Sequence, residues 1–308
     1  MDTANSGLTF ANRIVEDDTF NILDFEYVYN GGGVGAADFN GDGLTDLYFT
    51  GNTADNKIFI NLGDMQFADV TELAGVAATG RWCSGVAVTD INADGRPDLY
   101  ISATVYEPGP RRANMLFLNM GNEPGPDGLA VPRFTEVAGT AGIADTSHTT
   151  QAAFLDYDRD GDLDLYLLIN EMDDRAIPNR YLPKITDGSG KKNDKLFRNE
   201  GPGPDGLPRF TEVTREAGIL REGYGLGISV CDLNQDGWPD LYITNDYISN
   251  DLLWINGQDG TFTDRSADYL KHTSYSAMGH DVADLNNDGL EDVIAVDMYP
   301  ENNLRRKA

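Results

Sequence analysis

Five copies of one Asp/Asn/Gly loop, each with a small-residue run before it and a β-prone run after it, predict an all-β chain: a β-propeller of four-stranded antiparallel blades, one acidic loop per blade. The loops are Asp38-Phe-Asn-Gly-Asp-Gly-Leu-Thr-Asp46, Asp90-Ile-Asn-Ala-Asp-Gly-Arg-Pro-Asp98, Asp156-Tyr-Asp-Arg-Asp-Gly-Asp-Leu-Asp164, Asp232-Leu-Asn-Gln-Asp-Gly-Trp-Pro-Asp240 and Asp284-Leu-Asn-Asn-Asp-Gly-Leu-Glu-Asp292. Successive loops start 52, 66, 76 and 52 residues apart; the equal values give the basic unit and the longer ones mark insertions.

Each element of the unit follows in order. Before the loops stand Gly33–Ala37, Gly85–Thr89, Gln151–Leu155, Gly227–Cys231 and Gly279–Ala283, whose small side chains suit an innermost strand crowded by its neighbours. After the loops stand Leu47–Thr50, Leu99–Ser102, Leu165–Leu168, Leu241–Thr244 and Val293–Val296, short aromatic and β-branched runs that favour strands. A third run, Lys57–Asn61, Met115–Asn119, Lys195–Asn199 and Leu252–Asn256, and a fourth, Phe67–Thr71, Phe134–Val137, Phe210–Thr214 and Phe262–Asp264, complete four units. Residues 1–308 therefore read as one repeat domain, because lone sheets of this size bury too little to stand alone. Gly7–Ala11 reads as a fourth strand without its blade, and the fifth unit stops after its second strand. The two ends either share a closing fifth blade or belong to a longer propeller, for example a seven-bladed one, and the sequence leaves this open.

The loops carry the chemistry. Positions one, three, five and nine hold 16 Asp and four Asn among 20 places: Asp38, Asn40, Asp42 and Asp46; Asp90, Asn92, Asp94 and Asp98; Asp156, Asp158, Asp160 and Asp164; Asp232, Asn234, Asp236 and Asp240; Asp284, Asn286, Asp288 and Asp292. Position seven (Leu44, Arg96, Asp162, Trp238, Leu290) offers a backbone carbonyl, and position six is always Gly. Calcium takes six to eight oxygen ligands, and alternate oxygens in a tight turn can converge on one ion. One such loop would be an ordinary Asx-rich turn; five with the same positions filled predict about five calcium sites. No Cys or His stands at a ligand position, which argues against zinc and copper. The pattern departs from an EF-hand at position twelve, where Phe49, Ile101, Leu167, Ile243 and Ala295 replace the bidentate Glu.

Composition narrows the partners. A formal charge of −28 repels nucleic acid and anionic membranes, while 40% hydrophobic residues suffice for a core. No stretch is long and apolar enough to span a membrane, and no export signal is visible in the sequence. Cys83 and Cys231 sit at different offsets from their loops and are expected to be buried free thiols.

These loops, with the Phe-Thr-Glu-Val-Thr-type strands, resemble the FG-GAP/VCBS repeat family, the calcium-loop propellers that include the head of integrin α chains, and most of all its bacterial surface or secreted forms. The resemblance implies structural calcium and ligand binding on the face away from the calcium loops. In the proposed blade that face carries the loops joining strands two and three. The largest, residues 170–194, contains Arg180, Tyr181, Lys184, Lys191 and Lys192, and a shorter one, residues 104–113, holds Tyr106, Arg111 and Arg112. Long insertions on a rigid scaffold often bind, and equally often are tolerated surface.

Three functions are open. The first is a calcium-stabilised adhesion or ligand-binding scaffold for an extracellular protein or glycan. The second is a lectin-like propeller using Trp82, Trp238 or Trp254, though repeat packing explains those better. The third, ranked last, is a glycan- or phosphoester-processing enzyme, for which the scattered His148, His272 and His280 give no signature. Calcium sites of extracellular modules bind at about 10⁻⁴–10⁻³ M, which suits a secreted or cell-surface location.

Overall fold

The computed structural model describes residues 6–18, 20–23, 25, 27–171, 183–246, 249–274 and 276–298. Its strands are β1 (Val34–Ala37), β2 (Asp46–Phe49), β3 (Lys57–Asn61), β4 (Phe67–Asp69), β5 (Cys83–Thr89), β6 (Asp98–Ala103), β7 (Met115–Pro124), β8 (Ala130–Glu136), β9 (Thr149–Leu155), β10 (Asp164–Ile169), β11 (Lys195–Pro202), β12 (Pro208–Glu212), β13 (Gly225–Cys231), β14 (Asp240–Asn245), β15 (Leu252–Asn256), β16 (Phe262–Asp264), β17 (Ala277–Ala283) and β18 (Asp292–Asp297). They form four four-stranded sheets in simple sequence order, β1 to β4, β5 to β8, β9 to β12 and β13 to β16, and a two-stranded sheet β17-β18. The chain is thus all-β, with four antiparallel propeller blades, and the fifth repeat contributes two strands among the described residues.

Strand one ends just before each acidic loop and strand two starts at its last residue, as expected. In β1-β2 the pairing runs from Ala37 opposite Asp46 to Val34 opposite Phe49. The inner strands β5, β13 and β17 start two residues earlier than the sequence suggests, because a bulge lets pairing continue to Cys83, Gly225 and Ala277. Their small residues matter: a Cβ at Gly35 would lie 2.7 Å from Val88 Cγ2, and one at Gly85 would lie 2.6 Å from Thr150 O. The fourth run is corrected at its end. After Asp69 the chain leaves the strand for a helical turn, Thr71–Ala74, closed by Gly75 at φ 79°; Ala138–Ala141 and Gly142 do the same in the second blade. Gly7–Ala11 is also corrected: it forms no strand, and Gly7 passes so close to Phe67 that a Cβ would meet the Phe67 carbonyl.

Contacts group the chain into two compact units, residues 1–154 with 198–211, and residues 155–197 with 212–308. In the first, Tyr48, Ile58, Ile60, Leu99, Ile101 and Phe117 build a core between the first two sheets, and buried Cys83 belongs to it. In the second, Tyr166, Leu168, Leu196, Leu241, Ile243, Trp254 and Phe262 do the same, while Cys231 packs with Tyr242 and Leu253. Both thiols are free and buried, and burial pushes each up to about 12.

Candidate metal centres

Each loop folds by the same local logic. Position six is a left-handed glycine (Gly43, Gly95, Gly161, Gly237 and Gly289, φ 84–97°), and position four is left-handed too: Gly41, Ala93, Arg159, Gln235 and Asn287. Two left-handed residues around position five curl the turn so that its oxygens face inward. The position-one carboxylate then accepts backbone N–H groups across the turn. Asp38 takes those of Gly41, Asp42 and Gly43 at 2.7–3.0 Å. Asp90, Asp232 and Asp284 each take those of positions five and six. Position five accepts from the N–H of position seven in every loop, at Leu44, Arg96, Asp162, Trp238 and Leu290.

Position nine plays a second part that the sequence did not disclose. Asp46, Asp98, Asp164 and Asp240 are fully buried at the start of strand two. In all five loops its Oδ2 accepts the N–H of position two (Phe39, Ile91, Tyr157, Leu233, Leu285) at 2.9–3.2 Å. In three blades its Oδ1 accepts the N–H of the fifth residue of strand three, Asn61, Asn119 or Asn256. Burial raises Asp46, Asp98 and Asp240 to about 6 against these hydrogen bonds, with the neighbouring loop carboxylates adding to the rise. A cation at the loop would relieve that repulsion.

The loops are not equivalent. In four of them position three is Asn, whose Nδ2 donates to the position-five carboxylate at 2.9–3.0 Å: Asn40 to Asp42, Asn92 to Asp94, Asn234 to Asp236 and Asn286 to Asp288. The amide satisfies one acid from within. The third loop has Asp158 there, and Asp156, Asp158 and Asp164 bring one oxygen each to within 4.8 Å of one another. Asp156 Oδ1 is buried and takes no hydrogen bond. Three converging carboxylate oxygens with an orphaned buried acceptor fit a hard cation, so Asp156, Asp158 and Asp164 would hold it, with Asp160 and Asp162 on the exposed side of the same turn.

At the other end of each blade the structure reveals another set. A buried Asn or Asp just before strand three, Asn56, Asn114, Asp194 or Asp251, accepts the backbone N–H of Gly51, Ala103, Ile169 or Asn245 at 2.8–3.1 Å. The strand-two tyrosines Tyr48, Tyr166 and Tyr242 meet it through their hydroxyls. The signal was present as a repeated Asn/Asp before the third run.

Candidate ligand residues are partly reassigned. Arg112 and Lys192 are buried, not surface cations. Arg112 donates to Thr146 O and to His148 Nε2, and Lys192 donates to Tyr224 OH, 4.0 Å from Glu222. Arg111 stacks over Tyr106 at 3.5 Å. Lys191 is exposed and Lys184 half-buried, while Arg180 and Tyr181 lie outside the described residues. Trp82 and Trp254 are buried, with Phe20 and Phe25 edge-on to Trp82. Trp238 lies under the Arg159 guanidinium at 4.6 Å. His148 and His280, unrelated in sequence, both hydrogen-bond a threonine at the end of a second strand, Thr104 and Thr244.

A family model described as FG-GAP-like repeat matches residues 38–101 and 232–295, two windows that each open on an acidic loop and run through the next. Human cartilage acidic protein 1 is 26% identical over 220 residues, 70% of this chain and 28% of that protein. Mouse integrin alpha-IIb is 26% identical over 228 residues, 70% of this chain and 20% of that protein. The chain therefore spans less than a third of the length of these relatives. A solved structure concerned with recognition of non-reducing terminal N-acetylglucosamine by an Agrocybe aegerita lectin aligns at 19% identity and a TM-score of 0.45, covering 85% of this chain and 60% of that one; a likeness at that level carries no argument. Residues 38–101 and 232–295 thus carry FG-GAP-like repeats, and the five loops of one pattern, each seated between the first two strands of a sheet, are consistent with that family.

Proposed function

We propose that this chain is a calcium-stabilised extracellular scaffold for binding a protein or glycan ligand, with calcium structural in about five loops rather than catalytic. The observation that carries the calcium reading is the third loop, where Asp156, Asp158 and Asp164 converge and Asp156 Oδ1 has no hydrogen-bond donor. In each loop the ligands would be positions one, three, five and nine with the carbonyl of position seven. The likeness to an integrin α chain supports the scaffold reading and a secreted or cell-surface location. No described helix is long and apolar enough to cross a membrane. Arg111 and Tyr106, exposed or half-exposed between β6 and β7, are the first places to look for ligand contacts.

The test is a thermal and urea melt of the metal-stripped chain, with and without calcium and with magnesium as control. Ion that binds only the folded chain stabilises it by about 2.7 kcal/mol per independent site at a hundredfold excess over Kd. A calcium-specific rise, reduced most by Asp156→Ala, is expected. No shift and no retained calcium after stripping and re-addition would leave the loops as acidic turns.

A further inference from the structure

The side chain of the Asn at the fifth position of strand three joins one acidic loop to the next. Asp240 Oδ1 accepts the Asn256 N–H at 2.9 Å. Asn256 Nδ2 donates to Tyr157 O, position two of the third loop, at 2.8 Å. Tyr157 N–H in turn donates to Asp164 Oδ2 at 3.1 Å. Position nine of the fourth loop is thus tied, through one Asn, to position nine of the third. The first pair repeats it: Asp98 Oδ1 accepts Asn119 N–H at 2.7 Å, Asn119 Nδ2 donates to Phe39 O at 2.9 Å, and Phe39 N–H donates to Asp46 Oδ2 at 2.9 Å. In both, the same Nδ2 also reaches the carbonyl before position nine of its own loop, Pro239 or Pro97, at 3.3 Å. Asn119 and Asn256 are buried, and their Oδ1 atoms accept the N–H of Gly121 and Gln258, which fixes the amide orientation.

We infer that Asn256 and Asn119 are positioning residues that couple neighbouring ion loops, so that an ion in one loop tightens its neighbour; this rests on the calcium reading above. An ion seated on one loop holds its position-nine carboxylate, which holds the Asn backbone. The Asn side chain then holds position two of the next loop, whose N–H orients that loop's own position-nine carboxylate. The second ion meets a turn already ordered and loses less freedom on binding. Two cations in adjacent loops repel each other, so electrostatics alone predicts the opposite sign. Tightening is therefore the signature of the bridge.

Terbium(III) gives a loop-specific probe, because Trp238 at position seven of the fourth loop can sensitise an ion bound there; Trp238→Phe identifies that signal. The fourth-loop midpoint is measured in the whole chain and in Asp156→Ala, which disables the third loop. Each is then repeated with Asn256→Asp, nearly isosteric but without the donor, and with Asn256→Ser. Melts of the ion-free proteins show that each variant folds. Asp156→Ala should raise the midpoint roughly fivefold, the low end of ordinary coupling. With Asn256 already replaced, Asp156→Ala should add nothing further. An unchanged or lowered midpoint in Asp156→Ala overturns the coupling. So does a fivefold effect that survives replacement of Asn256, which would route it through Arg159 and Trp238 instead. Absence of any terbium uptake by the unaltered chain would strike the calcium reading itself, a separate outcome.

Discussion

Replacing Asp194 with Asn should remove a large part of the pH dependence of this fold. Asp194 is buried before strand three of the third blade, with Oδ1 on the Ile169 N–H and Oδ2 on the Tyr166 hydroxyl. Burial lifts its carboxyl from 3.8 to about 7. The folded chain therefore holds this proton more tightly than the unfolded chain. The resulting stability is present at low pH and is lost as pH rises from about 4 to about 7. Three pH units correspond to on the order of 4 kcal/mol, of which roughly 3 falls between pH 5 and pH 8. The first blade shows that Asn is tolerated. Asn56 occupies the same place, accepts from Gly51 N–H and donates to Tyr48, whose hydroxyl turns to Val76 O. The matching carbonyl in the third blade, Ile219 O, accepts from Asn193. Urea denaturation of the metal-free protein, in chelator, at pH 5 and pH 8 measures the effect. The unaltered chain should lose roughly 3 kcal/mol more than Asp194→Asn over that interval. Equal pH slopes for the two proteins would refute the assignment of a buried proton to Asp194.

Two further outcomes test the loops. Asn92→Asp gives the second loop carboxylates at positions one, three, five and nine, as in the third, and removes the amide that donates to Asp94; the metal-free melting temperature should fall while the rise on adding calcium grows, and an unchanged calcium response would show that position three does not face the ion. Ala93→Gly relieves a left-handed residue at φ 54°; a cost of roughly 1–2 kcal/mol for an L-residue, less glycine's greater freedom when unfolded, leaves a net stabilisation of up to about 1 kcal/mol in urea melts, and a loss of stability would mean that the Ala93 side chain makes a contact worth more than the strain.

The blade, its four strands and the place of the acidic loop were legible in the sequence, because each is a local pattern repeated often enough to separate it from chance. Short aromatic and β-branched runs, Gly at position six and acids at alternate positions act within a few residues, so they survive being read in one dimension. Strand ends were less legible. The bulge that carries β5 back to Cys83 and the turn that ends β4 at Asp69 depend on how far neighbours can pair. Only the tertiary structure decided what the repeated polar residues at the ends of the strands do. Asn119 and Asn256 reach carbonyls 80 and 99 residues away, and Asn56 and Asp194 cap the ends of second strands beside buried tyrosines. It also divided Lys191, exposed, from Lys192, buried against Tyr224, although the two are adjacent in one basic run. It set the third loop apart as well: the sequence shows an extra carboxylate, but that Asp156 is left with a buried oxygen lacking a donor follows from which N–H groups the folded turn can present. Local chemistry fixes which groups are offered; burial and long-range pairing fix which are satisfied.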